Sequence, residues 1–316
     1  MTELEALAVA VADAVTAAVR PLLGDPAARV PLGWAPGGDA TLGIDEVAER
    51  EVDRLLAAAG DVATYSEDRG LVVHGRPRGI LVIDPVDGTR PAAAGLESAC
   101  VSVAVLPPRE DATLGEVTFG VVQELRSGVR FTAGRGGGAR VEAVDGSSIP
   151  VRPSTTRDLA SMFWAAGTRG RPVRPVTTVL EHLIDGVAML GGHFDLGSVA
   201  FDLTRIVTGQ LDAYIDVGRR IVDEVPSTAP EFLRVGQGSI CANFPHDVAA
   251  AALILGEAGG VVTRADGRSL ADHPAVGSGR EHGLSVVAAS NPVLHRAILA
   301  EVDRGMIRLA GADLRD

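Results

Sequence analysis

The stretch Ile80-Leu81-Val82-Ile83-Asp84-Pro85-Val86-Asp87-Gly88-Thr89 constrains this chain more than any other. Four apolar residues in a row predict a buried strand. Two carboxylates stand at its end, where they are costly unless something pairs with them. A hard divalent cation answers that need, since Mg²⁺ takes oxygen ligands and keeps positions open for a substrate phosphate. Gly88 lets the backbone approach a ligand closely, and the amides after it suit an anion. Ordinary turn chemistry around Pro85 is the other answer. The hexapeptide Asp84 to Thr89 leaves both open.

The rest of the chain supplies a large core for such a strand. Of 316 residues, 46% are hydrophobic but only 3% aromatic, so the interior is built from Ala, Val, Leu and Ile. The net charge of −12 argues against a general basic surface for nucleic acid or anionic membrane. Cys100 and Cys241 form neither a disulfide framework nor a metal-binding spacing, so a reducing cytoplasm is expected. No apolar run is long enough to span a membrane. The acidic start Met1-Thr2-Glu3-Leu4-Glu5 is unlike a signal peptide and leads into an amphipathic helix.

Helical spacing predicts helices over 2–22 and 44–60, joined by the polar loop Asp39 to Asp45. Short β-like runs follow at Val62–Ser66, Ile80–Ile83, Cys100–Leu106, Thr118–Leu125 and Val129–Thr132, with Gly and Pro between them suggesting antiparallel pairing. After about residue 153, helices near 175–190, 198–208, 247–258 and 291–303 alternate with strands near 162–166, 212–217 and 284–289. The class is therefore α/β (α+β), with two sheets and interleaved helix layers. A single domain in two halves, 1–152 and 153–316, is expected. The segment 219–245, with Pro226, Pro230, Gly236, Gly238 and Pro245, shows no period and reads as a long loop, functional or merely superficial.

Three pieces join the hexapeptide. They are Ser66-Glu67-Asp68 at a strand end, the group Asp39, Thr41 and Asp45, and His246-Asp247-Val248-Ala249-Ala250 opening a helix that runs to Glu257-Ala258-Gly259-Gly260. Singly, Asp247 and Asp45 read as helix N-terminal carboxylates and Glu67 and Asp68 as solvated loop charges. Together they offer carboxylates at strand and helix ends, from which a shared cation site can be assembled.

In this combination the chain resembles the inositol monophosphatase superfamily of Mg²⁺-dependent, lithium-sensitive phosphatases, which also holds fructose bisphosphatases and nucleotide phosphatases. Ser66-Glu67-Asp68 matches its (G/S)-E-(E/D) element, Asp84 to Thr89 its D-P-(I/V)-D-G-T, and Asp247 to Gly260 most of its W-D-x-A-A…E-A-G-G. Gly197-Ser198-Val199-Ala200 and Gly209-Gln210-Leu211-Asp212-Ala213-Tyr214 match G-(S/T)-x-A…G-x-x-D-A-Y. Asp39, Thr41 and Asp45 match the upstream D-x-x-T-x-x-D loosely, and Val286 to Asn291 resembles the last strand.

The resemblance implies a layered α-β-α-β-α sandwich, a homodimer, and hydrolysis of a small polyol phosphate by in-line attack of a metal-activated water. It implies two to three Mg²⁺ ions and lithium inhibition. Glu67, Asp84 and the Val86 carbonyl would hold one ion; Asp84, Asp87 and Asp247 would hold a second; a third would sit near Glu67. Gly88 and Thr89 would cradle the phosphate, while Thr89, hydrogen-bonded to Asp45, would activate the water that Glu67 helps hold. Gly197, Ser198 and Val199 would face the substrate.

The substrate side departs from the family pattern. Arg90-Pro91 stands where many relatives have T-N, Asp216 where inositol phosphatases carry a Glu that contacts a substrate hydroxyl, and His246 where a Trp precedes the metal-binding Asp. Arg90 suits a second anionic group or a surface ion pair; His246 suits substrate contact or plain packing. The substrate is then an inositol, cyclitol or sugar phosphate. A bisphosphate (fructose 1,6-bisphosphate or 3′-phosphoadenosine 5′-phosphate), a secondary-metabolite nucleoside or aminosugar phosphate, and a non-catalytic metal- and phosphate-binding regulator are the alternatives. The segment 219–245 is expected to form part of the substrate rim or a dimer contact.

Overall fold

The structure is a computed structural model that describes residues 1–35, 38 and 40–313. Thr2 caps helix α1 (Glu3–Val19) through a reciprocal bond pair with Glu5, and Ala8, Val11, Ala12, Val15 and Val19 form its buried stripe. A small hairpin, β1 (Pro31–Trp34) and β2 (Ala40–Leu42), leads into α2 (Gly43–Ala59). Next come β3 (Val62–Ser66), β4 (Gly70–His74), β5 (Ile80–Asp87), the short α3 (Thr89–Ala94), β6 (Cys100–Leu106), β7 (Phe119–Glu124), β8 (Arg130–Gly134), β9 (Ala139–Glu142) and β10 (Ser148–Ile149). The strands from β3 onward make one eight-stranded sheet in the order β10-β9-β8-β7-β6-β5-β3-β4. Pairing is antiparallel as expected except between β3 and β5, which run parallel.

The second half contains β11 (Phe163–Ala166), α4 (Val173–Gly186), β12 (Gly192–Phe194), α5 (Val199–Val207), β13 (Ala213–Ile215), α6 (Gly218–Glu224), α7 (Ala229–Val235), α8 (Pro245–Glu257), β14 (Val261–Arg264), β15 (Val286–Ala289) and α9 (Pro292–Asp313). Its five-stranded sheet runs β12-β11-β13-β15-β14, with β11 parallel to both neighbours. Three cores separate five layers. Leu81 and Ile83 of β5 pack under α1 and α2. Ile80 and Val82, on the other face of the same strand, meet α5 and α8 between the two sheets. Val176, Leu180 and Ile298 of α4 and α9 cover the far face of the second sheet. The order is α-β-α-β-α, and the continuous apolar run of β5 is what a strand with a helix layer on each side requires.

Small side chains replace aromatic bulk at the layer contacts. A Cβ on Gly120 of β7 would fall 2.8 Å from the Ala250 carbonyl of α8, so the Ala-rich helix lies directly on the sheet. At the far end of α8, Glu257 accepts the amides of Gly136 and Gly138 at 2.7 and 2.9 Å, fixing the β8–β9 turn to the middle layer.

The segment 219–245 is not the irregular loop its sequence suggests. It folds into the end of α6, a 3-10 turn and α7, and Phe232 is fully buried in the outer core. Two seven-residue helices are too short to show a period, and Pro226 and Pro230, read as breakers, occupy first-turn positions where proline is tolerated. Among the described residues no helix is long and apolar enough to cross a membrane.

Candidate active site

In a regular strand Asp84 and Asp87, three residues apart, would point to opposite faces. The register of β5 against β6 shifts between them: Asp84 lies opposite Ser102, and Asp87 opposite Cys100. One residue is thus inserted on β5, a bulge that turns Asp87 to the same side as Asp84. Gly88 follows with φ +88°, and a Cβ there would sit 2.5 Å from the Ser98 carbonyl, so only glycine fits. α3 begins at the next residue, and Gly88 and Thr89 line the same pocket as the carboxylates.

Asp247 arrives from the middle layer. It is the third residue of α8, and its Oδ2 accepts the Phe244 amide at 2.6 Å. Asp45 takes the same position in α2, its Oδ2 accepting the Leu42 amide at 2.7 Å. Both are helix-start carboxylates, as each alone suggests. The difference is that Asp247 also brings an oxygen into a group with Asp84 and Asp87 in which all three ligand atoms lie within 4.8 Å of one another. Asp87 is held in place by the Ser198 hydroxyl at 2.8 Å and the Ala200 amide at 2.6 Å, both donating to Oδ2 from the start of α5.

Burial pushes the Asp84 carboxyl well above the usual carboxylate range, and the charges of Asp87, Asp247 and Glu67 push it further. Burial and Asp247 raise Asp87 to about 7 against the opposing pull of Ala200, Ser198 and Arg169. Buried like charges at this spacing are stable only when a cation stands among them or protons neutralise them. The all-oxygen donor set fits a hard divalent metal. Glu67, Asp84, Val86, Asp87, Gly88, Thr89 and Asp247 line one pocket, together with Arg90 and Arg169.

The model of the inositol monophosphatase family matches residues 1–306. The chain belongs to the inositol monophosphatase family. A fructose-1,6-bisphosphatase/inositol-1-monophosphatase of Methanothermobacter thermautotrophicus is 30% identical over 305 residues, covering 94% of this chain and 95% of its own. The Nus factor SuhB of Xylella fastidiosa is 28% identical over 254 residues, covering 80% of this chain and 78% of its own. Among solved structures, the extragenic suppressor protein suhB of Bartonella henselae shares the fold with a TM-score of 0.71 at 21% identity, covering 96% of this chain and 100% of its own. The family consists of metal-dependent phosphatases, and this member is a phosphatase.

Within this family member, several residues sit differently from the sequence expectation. Thr89 Oγ1 donates to the Val86 carbonyl at 3.1 Å. Thr41 donates to Asp68, tying β2 to the Ser66-Glu67-Asp68 turn, while Asp39 lies outside the described residues. His246 is 1% exposed and stacks on Phe244 and Tyr65, with ring centroids 5.7 and 6.3 Å away. Burial lowers its pKa, and its Nε2 lies 3.4 Å from Asp247 Oδ1, so it packs behind Asp247 and does not face substrate. Asp216 is fully buried, paired with Arg171 and accepting the Gly218 amide. Its carboxylate holds the end of β13 together and is not offered to a substrate hydroxyl. Ser198 donates to Asp87 and, with Gly197 and Val199, lines the pocket.

Sequence reasoning missed Arg169, Asp195, Asp202, Cys241, Ala242 and Asn243, all on the pocket wall. A signal existed for the first: Gly167-Thr168-Arg169 follows β11, a parallel strand, and ligands of α/β sheets gather at the carboxyl ends of such strands. Cys241, Ala242 and Asn243 come from the end of the misread 219–245 segment, which does contribute to the pocket rim.

Proposed function

We propose that this chain hydrolyses the phosphate monoester of a small polyol, an inositol, cyclitol or sugar phosphate, with Mg²⁺. The convergence of buried Asp84 and Asp87 with half-buried Asp247 at one end of a pocket that Gly88 and Thr89 also line carries the reading. Two or three Mg²⁺ ions suit this set once Glu67 and the Val86 carbonyl complete it. Bound there, Mg²⁺ supplies charge neutralisation for phosphoryl transfer and lowers the pKa of the attacking water. The amides of Gly88 and Thr89 hold the phosphate. Ser198 and Ala200 keep Asp87 from swinging away. Thr89 and Glu67 would position the attacking water, and Asp45 would help take its proton.

Phosphate release from a panel of inositol, sugar, bisphosphate and nucleotide substrates, in Mg²⁺ and in EDTA, tests this. Turnover of at least one polyol monophosphate, and only in Mg²⁺, is expected. No Mg²⁺-dependent turnover of any member would point instead to a metal- and phosphate-binding protein. Arg90 and Arg169 on the same pocket favour one second reading, a substrate with a second phosphate. On that reading fructose 1,6-bisphosphate heads the panel, and Arg90→Ala raises KM for it more than for any monophosphate.

We also propose a homodimer. Leu96, Met189 and Leu190 are 58%, 90% and 71% exposed, near the half-exposed Phe163 and Phe194 on the edge of the second sheet. Ser98 donates to the Leu196 carbonyl at 2.7 Å, which ties the Leu96 segment to that edge. Apolar surface concentrated in this way marks an interface. Light scattering is expected to return twice the 32.5 kDa chain mass, and Met189→Asp to return a monomer. A monomeric parent protein would refute it.

A further inference from the structure

The pocket continues past the carboxylate triad. Beyond Asp87 and Asp247 it passes Val199 into a chamber walled by Thr168, Asp195, Asp202, Tyr214 and Asn243. Asp202, on α5, is 1% exposed, and its Oδ1 has no hydrogen-bond partner. The nearby cations are engaged elsewhere. Arg171 pairs with Asp216. Arg205, one turn along the same helix, pairs with Glu124 and lies over the rings of Phe131 and Phe201. Arg169 acts on Asp87. On the opposite wall Asp195 accepts the Thr168 hydroxyl and adds a second negative charge.

A buried carboxylate oxygen with no hydrogen bond is costly, and proteins retain such groups where a ligand completes them. Burial, then the charges of Asp87 and Asp195, drive the Asp202 carboxyl well above its usual range. The Mg²⁺ ions proposed above neutralise the phosphate end of a substrate; at the Asp202 end Arg205 opposes the charge but is already paired with Glu124.

We propose that Asp202 receives a protonated amine of the substrate, so that the preferred class is an aminated polyol phosphate, an amino sugar or aminocyclitol ester. This rests on the phosphatase reading and narrows it. A hydroxyl would give Asp202 one hydrogen bond and leave a buried charge behind; an ammonium supplies both hydrogen bond and charge. Asp202 is a specificity residue in this scheme and takes no part in bond breaking.

The test compares kcat/KM for glucosamine 6-phosphate, glucose 6-phosphate and N-acetylglucosamine 6-phosphate, with calorimetric titration of the same three esters. The amine is expected to be preferred about tenfold or more, mainly through KM, with the N-acetyl ester losing the advantage. Asp202→Asn, checked for folding by its melting curve, should bring the three within about twofold of one another. The N-acetyl ester removes the charge without touching the protein, so the comparison holds even where the variant fails to fold. Equal or weaker use of the amine by the parent protein overturns the proposal, as does an amine preference that survives in Asp202→Asn. Absence of turnover on every ester defeats the phosphatase reading, and the titration then still decides whether the amine is recognised.

Discussion

Asp87→Asn is expected to lower kcat by about a thousandfold or more while leaving the protein folded. The substitution hardly changes side-chain size, but it changes what Asp87 can face. Its Oδ2 accepts two donors, the Ser198 hydroxyl and the Ala200 amide. An Asn can satisfy them only by turning its carbonyl oxygen that way, which points its amide hydrogens at Asp84, Asp247 and the cation between them. Charge and geometry are lost together. Stability moves the other way, because one of three crowded carboxylates is gone. In EDTA the variant should therefore melt no lower than the parent protein. Phosphate release against the best panel substrate, paired with melting curves, reads both effects. A rate within tenfold of the parent would remove Asp87 from the metal site.

The sequence made the site's chemistry legible where one residue type can serve only one purpose. Two carboxylates after four apolar residues mark a cost that only a partner offsets, and Asp84 and Asp87 do meet Asp247. Their shared direction could not be read, because it depends on a bulge set by pairing with β6, a strand more than ten residues away in the chain. Two sheets with interleaved helix layers followed from the helix–strand alternation after residue 153, and the layer order from the family resemblance. Regions 70–74, 192–194 and 261–264 were missed as strands, since three to five residues on a sheet edge carry little period. The substrate wall was least legible. Asp216 looked like a substrate contact and His246 like either a contact or a packed ring, and their partners, Arg171 for one and Phe244 and Tyr65 for the other, are set by tertiary packing. Asp202 gave no signal at all: in sequence it is one more polar residue in a helix, and only its enclosure without a partner distinguishes it.

The largest effect on stability is expected from Mg²⁺, and it should depend on pH with a definite sign. Asp87 titrates at about 7 in the folded protein against an ordinary value of 3.8, and Asp84 is shifted in the same direction. A carboxyl raised in this way holds its proton more tightly folded than unfolded. Its contribution is therefore favourable below the unfolded pKa and is lost as pH rises toward the folded one. Without metal, the protein should lose stability between about pH 4 and pH 7. Glu49, buried on α2 and raised to about 7 mainly by desolvation, adds to the same slope. Mg²⁺ binds the deprotonated carboxylates, so it competes with protons at the triad and has no such effect at Glu49. Subtracting the melting temperature in EDTA from that in Mg²⁺ at each pH removes the Glu49 contribution and leaves the triad. At pH 8, with Mg²⁺ at a hundred times its Kd, the stabilisation is about 2.7 kcal/mol, a rise of roughly 5 °C for a chain of this size. By pH 5 protons occupy Asp84 and Asp87 and the increment should shrink to near zero. An increment that is the same at both pH values, or larger in acid, would mean that the cation binds somewhere other than Asp84, Asp87 and Asp247.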